Sequence, residues 1–159
     1  MLIVVPYVEG ELQPETEDAL VVWPGKKLRR RLEDTTYGYW ELIKELWQGA
    51  SDIVLVEQDN APTLEQLRSL ETCQVSQVCG YHYRREGGNA VALGLLRWRA
   101  ELAQQAPWLL DRELPARIPY DQCDGHLHGR FAALGVKVHD HGETAHFRRR
   151  TMLLEVPVS

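Results

Sequence analysis

DIVLVEQDNAP, residues Asp52–Pro62, is the stretch on which the fold turns. Ile53, Val54, Leu55 and Val56 form a short apolar run rich in β-branched side chains, the pattern of a strand buried on both faces. The run ends in Glu57-Gln58-Asp59-Asn60, and Pro62 stops its continuation. Two carboxylates one residue apart at the mouth of a buried strand are costly unless a cation meets them. Ligands of open α/β sheets bind in the crevice beyond the carboxyl ends of the strands, and a divalent metal carrying a phosphate suits that geometry. A plain charged turn after a core strand suits the same residues.

On the N-terminal side, Leu2–Val8 reads as the first strand, with Pro6 near its end. Thr16–Leu20 begins a short helix, and Val21-Val22-Trp23 reads as a short strand stopped by Pro24-Gly25. Lys26, Lys27, Arg29, Arg30 and Arg31 then form a basic cluster. It is either a solvated face or a guanidinium clamp for a diphosphate. Trp40, Ile43 and Trp47 recur at helical spacing from Tyr37 onward, with Gly49 as the stop.

On the C-terminal side, Thr63 with Gln66 three residues on forms a capping-box pattern, opening a helix with Leu64, Leu67 and Leu70 on one face. Val75–Tyr83 reads as a strand with Val78, Gly80 and His82 on one side and Cys79, Tyr81 and Tyr83 on the other. Ala90–Leu93 suggests a strand leading into Gly94, and Leu95–Gln105 a helix ended by Pro107. Pro107–Pro119 is irregular. A helix from Tyr120 places Cys123, Leu127, Phe131 and Leu134 on one face, and Gly135 ends it. Val136–His139 reads as the last strand of the sheet, followed by a turn at His139–Gly142. Met152–Val158 is apolar enough for a closing strand or a contact in a homo-oligomer. The alternation predicts an α/β fold, a three-layer α/β/α sandwich with a mostly parallel central sheet. It spans 1–159 as a single domain, with 148–159 as a closing strand or tail.

Composition narrows the classes. The 159 residues suffice for a real core, and 44% hydrophobic with 26% charged content is ordinary for a globular protein. A formal net charge of −5 argues against a general nucleic-acid binder, whose footprint is basic. The apolar start is too short for a signal peptide, and no run approaches the roughly 20 apolar residues of a membrane span. Cys73, Cys79 and Cys123 are an odd count without a CxxC, so reduced thiols in a cytoplasmic protein are the default, while a Cys73–Cys79 bridge would need an oxidising compartment.

Several side chains offer chemistry. His126, His128, His139, His141 and His146 cluster late in the chain, and imidazole is a common ligand for divalent metals. His139 and His141 share a strand face, whereas His126 and His128 point apart on a helix. Asp124 falls in the first turn of its helix, where it either stabilises the dipole or borders a cleft as a general base. Gly94 either admits close backbone approach to a ligand or marks a strand–helix turn.

Taken as an ordered series, Val56-Glu57-Gln58-Asp59-Asn60-Ala61-Pro62, Cys79-Gly80-Tyr81-His82-Tyr83, Leu93-Gly94-Leu95-Leu96-Arg97-Trp98, Cys123-Asp124 and Ala145-His146-Phe147 resemble small GT-A-type glycosyltransferase-like proteins that use nucleotide-diphospho-sugar donors. The likeness runs from about Leu2 to Phe147. It implies that Glu57-Gln58-Asp59 takes the place of the family's DxD motif, as ExD. Asp59 would bind Mn²⁺ or Mg²⁺ bridging the donor diphosphate, and Glu57 would face the ribose or the metal. His146 would match the late histidine that completes the metal or diphosphate site. Asp124 would be the catalytic acid near the acceptor, a general base in inverting members. Gly94 and Leu95 would line the cleft for donor sugar and acceptor, and Pro6 and Tyr7 would flank the nucleoside base.

Three functions follow as expectations. The first is a metal-dependent glycosyltransferase with an acceptor of unstated nature. The second is a metal-dependent hydrolase or phosphatase using Asp59 with His139, His141 and His146. The third is a binding or assembly module that keeps the fold without catalysis.

Overall fold

The computed structural model describes residues 1–83, 91–110 and 117–147. Its sheet contains β1 (Leu2–Tyr7), β2 (Lys26–Arg31), β3 (Ile53–Val56), β4 (Val78–His82), β5 (Val91–Trp98) and β6 (His139–Glu143). The helices are α1 (Pro14–Val21), α2 (Gly38–Trp47), α3 (Leu64–Thr72), α4 (Ala100–Gln105) and α5 (Cys123–Ala133). Across the sheet the strands lie in the order β2-β1-β3-β5-β4-β6. β1 is parallel to β2 and β3, β4 is parallel to β6, and β5 is antiparallel to both β3 and β4. The reversal of β5 follows from chain length: residues 83–90 leave room for a hairpin connection but not for the longer crossover that a parallel neighbour needs.

The three layers are visible in the packing. Ile53, Val54, Leu55 and Val56 are all buried, and the pleat sends alternate members to opposite faces. Val4, Ile53, Leu55 and Trp98 pack with Trp40, Ile43 and Trp47 of α2 and with Leu127 and Phe131 of α5. Ile3, Val5, Val54 and Val56 pack on the other face with Leu20 of α1 and Leu67 and Leu70 of α3. α3 starts at a true capping box: the Gln66 N–H donates to Thr63 Oγ1, and the Thr63 N–H donates to Gln66 Oε1. Trp47 is anchored by its indole N–H, which donates to the Ala106 carbonyl at 3.0 Å.

Three local expectations are corrected. The short strand lies not at Val21–Trp23 but at the basic cluster, because Lys26–Arg31 forms β2 at the edge of the sheet. Charge on an edge strand discourages further pairing, and the cluster is matched by acids: Arg29 with Glu17, Arg30 with Glu45, Arg31 with Glu9 and Glu33. The Leu95–Gln105 helix gives way to the β5 strand through Trp98, leaving helix only from Ala100. Leu95 and Leu96 are buried on opposite faces, which a helical reading of a continuous apolar run does not reveal. The last strand of the described residues is His139–Glu143 rather than Val136–His139, so the expected turn is itself a strand. Cys73, Cys79 and Cys123 are free thiols. The expected closing segment, 148–159, lies outside the described residues.

β5 carries the irregularity that shapes the site. Gly80 pairs with Leu96, yet His82 pairs with Val91, so β5 holds more residues than β4 across the same span. Bulges of this kind kink a strand and re-aim its side chains. The bulged residues include Leu93 and Gly94, beside the carboxyl end of β3.

Candidate functional site

β3 delivers Glu57 to the carboxyl end of the sheet, and the Glu57 N–H donates to the Gly94 carbonyl at 3.0 Å. The Glu57 side chain is buried, with Oε1 accepting from the Tyr120 hydroxyl at 3.1 Å. Burial is the main cause that lifts its carboxyl to a pKa of about 7, reinforced by the charges of Asp124 and Asp59 and opposed by the Tyr120 hydrogen bond and His146. The same surroundings, burial first and Glu57 next, push the Tyr120 hydroxyl well above its ordinary value.

Gln58 organises the loop. Its Oε1 accepts from the Val8 N–H at 2.7 Å, and its Nε2 donates to Glu11 at 2.9 Å. Asp59 then meets the last described segment of the chain. Its Oδ2 lies 3.1 Å from His146 Nε2. The Phe147 N–H donates to the Asp59 carbonyl at 2.7 Å, and Asn60 and His146 form an isolated antiparallel bridge. The His146 ring stacks on Tyr83, with centroids 4.2 Å apart and planes 10° from parallel.

Glu57, Asp59 and His146 can each present one donor atom within 4.8 Å of the others. Two carboxylates and an imidazole form a donor set suited to Mn²⁺, whose preference for oxygen tolerates one nitrogen. Two buried polar groups nearby, Asn60 Nδ2 and the Tyr39 hydroxyl, have no hydrogen-bond partner among the described residues. Groups of this kind cost energy unless a ligand or water satisfies them. Gly94 is the close approach: a Cβ there would stand 2.9 Å from Tyr83 Cε1, 3.0 Å from Asn60 Nδ2 and 3.2 Å from Glu57 Oε2.

A cavity of about 270 Å³ opens beside these residues, lined among others by Pro6, Tyr7, Leu32, Tyr39, Glu57 and Tyr120. It lies at the carboxyl ends of β1 and β3, where open α/β sheets bind ligands. Asp124, in the first turn of α5, accepts the Leu93 N–H on Oδ1 at 2.6 Å and so anchors the β5 bulge. Its charge acts on Glu57.

Of the expected site residues, Pro6, Tyr7 and Glu57 share the cavity, Asp59 and His146 meet, and Gly94 and Asp124 adjoin Glu57. Leu95 does not: its side chain is sealed in the core with Val54 and Val56, so only its backbone can face a ligand. His139 and His141 stand apart from Asp59. His141 groups with Cys73 and Cys79 instead, so of the expected hydrolase set only His146 joins Asp59. His128 Nε2 donates to the Val91 carbonyl at 2.6 Å, and His126 packs edge-on to Trp40, so both have structural contacts. Tyr39, Asn60, Tyr83 and Tyr120 were not legible as site residues. Asn60, directly after Asp59, carried the best available signal.

No family model matches the sequence. No curated protein sequence matches it. Among solved structures, the crystal structure of A197 from STIV superposes with a TM-score of 0.59 at 12% identity, covering 93% of this chain and 85% of that one. A glycosyltransferase involved in the glycosylation of the major capsid of PBCV-1 superposes with a TM-score of 0.58 at 12% identity, covering 89% and 81%. Among the described residues, no helix is long and apolar enough to cross a membrane. A mixed six-stranded sheet between helical layers, superposing over most of its length on a glycosyltransferase, gives this chain a GT-A-like fold.

Proposed function

We propose that the chain is a metal-dependent glycosyltransferase that moves a sugar from a nucleotide-diphospho-sugar to an acceptor hydroxyl. The observation that carries this reading is the meeting of Asp59 with His146 within reach of buried Glu57, which itself lines the cavity with Pro6 and Tyr7. Asp59 and His146 would hold Mn²⁺ or Mg²⁺, with Glu57 as the third donor. The ion would supply Lewis-acid neutralisation of the departing diphosphate.

The chain's own residues do the rest. Pro6 and Tyr7 offer an apolar wall to the nucleoside base. Tyr120 holds Glu57 in place through its hydroxyl, and Tyr83 fixes the plane of the His146 ring by stacking. Gly94 lets Tyr83, Asn60 and Glu57 close against the strand, where a Cβ would stand within 3.2 Å of all three. Asp124, which accepts the Leu93 N–H, would accept the proton of the acceptor hydroxyl.

The test is the melting temperature of the full chain with uridine, guanosine, cytidine and adenosine diphosphates, each with and without Mn²⁺. A rise of several degrees with one of them, only when Mn²⁺ is present, supports the reading. No rise with any nucleotide overturns it.

A further inference from the structure

Outside the candidate site, Cys73, Cys79 and His141 come together from three separate elements. Cys73 caps the C-terminus of α3, Cys79 lies in β4 and His141 in β6. Their donor atoms all lie within 4.8 Å of one another. We propose that these three side chains form a second metal site, one that takes zinc and staples the edge strand β6 to α3 and β4.

Distances fit first. Zinc binds sulfur at about 2.3 Å and imidazole nitrogen at about 2.0 Å, so ligands around a tetrahedral ion stand roughly 3.5–3.8 Å apart. Closing the present triangle by about 1 Å or less reaches that spacing.

The imidazole is prepared for a ligand. His141 Nε2 is buried and has no hydrogen-bond partner among the described residues. Its ring is held by stacking on Tyr81, with centroids 5.4 Å apart, and by the edge-on ring of His139 at 4.6 Å. The strand is locally distorted to place it. Cys79 pairs with His139 and Gly80 with Asp140, but His82 pairs with Glu143, so β6 carries one extra residue around His141. Gly142 absorbs the bulge at φ +118°, a conformation that other residues rarely adopt.

The sulfurs have polar neighbours: the backbone N–H groups of Val75 and Ser76 beside Cys73, and the Arg97 guanidinium beside Cys79. Donors of this kind orient and stabilise thiolate ligands. Arg97 is fully buried, and its recorded hydrogen bonds to the chain's backbone go to the carbonyls of Leu70, Cys73, Ser76 and Gln77. Two thiolates would bring anionic charge to this buried cation. Soft sulfur ligands also separate the site from the oxygen-rich set at Asp59, so the two would sort zinc from manganese. The consequence is mechanical: His141 and His146 lie on one segment, so a staple at the first steadies the approach of the second to Asp59.

The test uses the full chain, purified without chelator, analysed for zinc and then titrated as the apoprotein with Co²⁺. One zinc per chain and a strong thiolate-to-cobalt charge-transfer band in the near ultraviolet support the site. The band should vanish in Cys79→Ser and weaken in affinity by at least about 100-fold in His141→Gln, while Cys123→Ser and Asp59→Ala keep it. A wild-type chain that gives neither zinc nor the band overturns the proposal. So does peptide mapping that finds Cys73 and Cys79 joined as a disulfide. Retention of the band in Asp59→Ala separates this outcome from the fate of the glycosyltransferase reading.

Discussion

Asp59 Oδ2 and His146 Nε2 stand 3.1 Å apart, although one follows a central strand and the other follows the sheet's edge strand. Backbone pairing enforces the meeting: Phe147 donates to the Asp59 carbonyl and Ala61 to the Ala145 carbonyl. Thr144 adds a side-chain bond to Asn60 at 3.2 Å. The pair is therefore built into the fold before any ligand arrives.

Glu57 makes the metal-free protein sensitive to pH. Its folded-state pKa of about 7 lies above the ordinary 4.5, so the folded chain holds a proton that the unfolded chain has lost. That contribution is fully present below about pH 4.5 and disappears as pH rises through about 7. The shift corresponds to about 3 kcal/mol. His141, held below its ordinary value chiefly by burial, works in the opposite direction over part of this window, so a difference measurement is needed. Urea denaturation of wild type and Glu57→Gln between pH 5 and 8 should show the variant gaining relative stability as pH rises. A constant difference across that range would show that Glu57 is already ionised at pH 5.

Gly94→Ala should damage the site from the inside. The new methyl group would overlap Tyr83, Asn60 and Glu57, and overpacking of this kind costs about 1–3 kcal/mol. Because Tyr83 stacks on His146, Mn²⁺ affinity should fall together with stability. Parallel chemical denaturation and Mn²⁺ titration measure both; unchanged Mn²⁺ affinity would separate Gly94 from the metal-binding residues.

Arg97 organises the turn between α3 and β4. Replacing it with leucine strands the carbonyls of Leu70, Cys73, Ser76 and Gln77 in a buried setting. Loss of charged hydrogen bonds to buried acceptors should destabilise by about 3 kcal/mol or more. Denaturation of Arg97→Leu checks this, and a loss under about 1 kcal/mol would mean that water replaces the guanidinium.

Much of the architecture was legible because it rests on local rules. Ile53–Val56 announced a buried strand, Thr63 with Gln66 announced a helix start, and both stand in the structure. The errors fell where tertiary context outweighs local pattern. Lys26–Arg31 has no apolar alternation, and it forms a strand because β1 offers a free edge and Glu9, Glu17, Glu33 and Glu45 neutralise its charges. Val91–Trp98 hides its strand period because a bulge shifts the faces midway. The acidic half of the candidate site, Glu57 and Asp59, stood out in the sequence as two acids at the exit of a buried strand. Tyr39, Tyr83 and Tyr120 did not, since aromatic residues read equally well as core until the sheet brings their rings and hydroxyls against Glu57 and His146.

The most direct measurement is calorimetric titration of the nucleoside diphosphate chosen by thermal shift into wild type, Asp59→Ala and His146→Ala, with Mn²⁺ and with chelator. The expected result is Mn²⁺-dependent binding to wild type that weakens at least about tenfold, roughly 1.4 kcal/mol, in each variant. Binding of equal strength with chelator present, or in both variants, would contradict a metal–diphosphate site at Asp59 and His146.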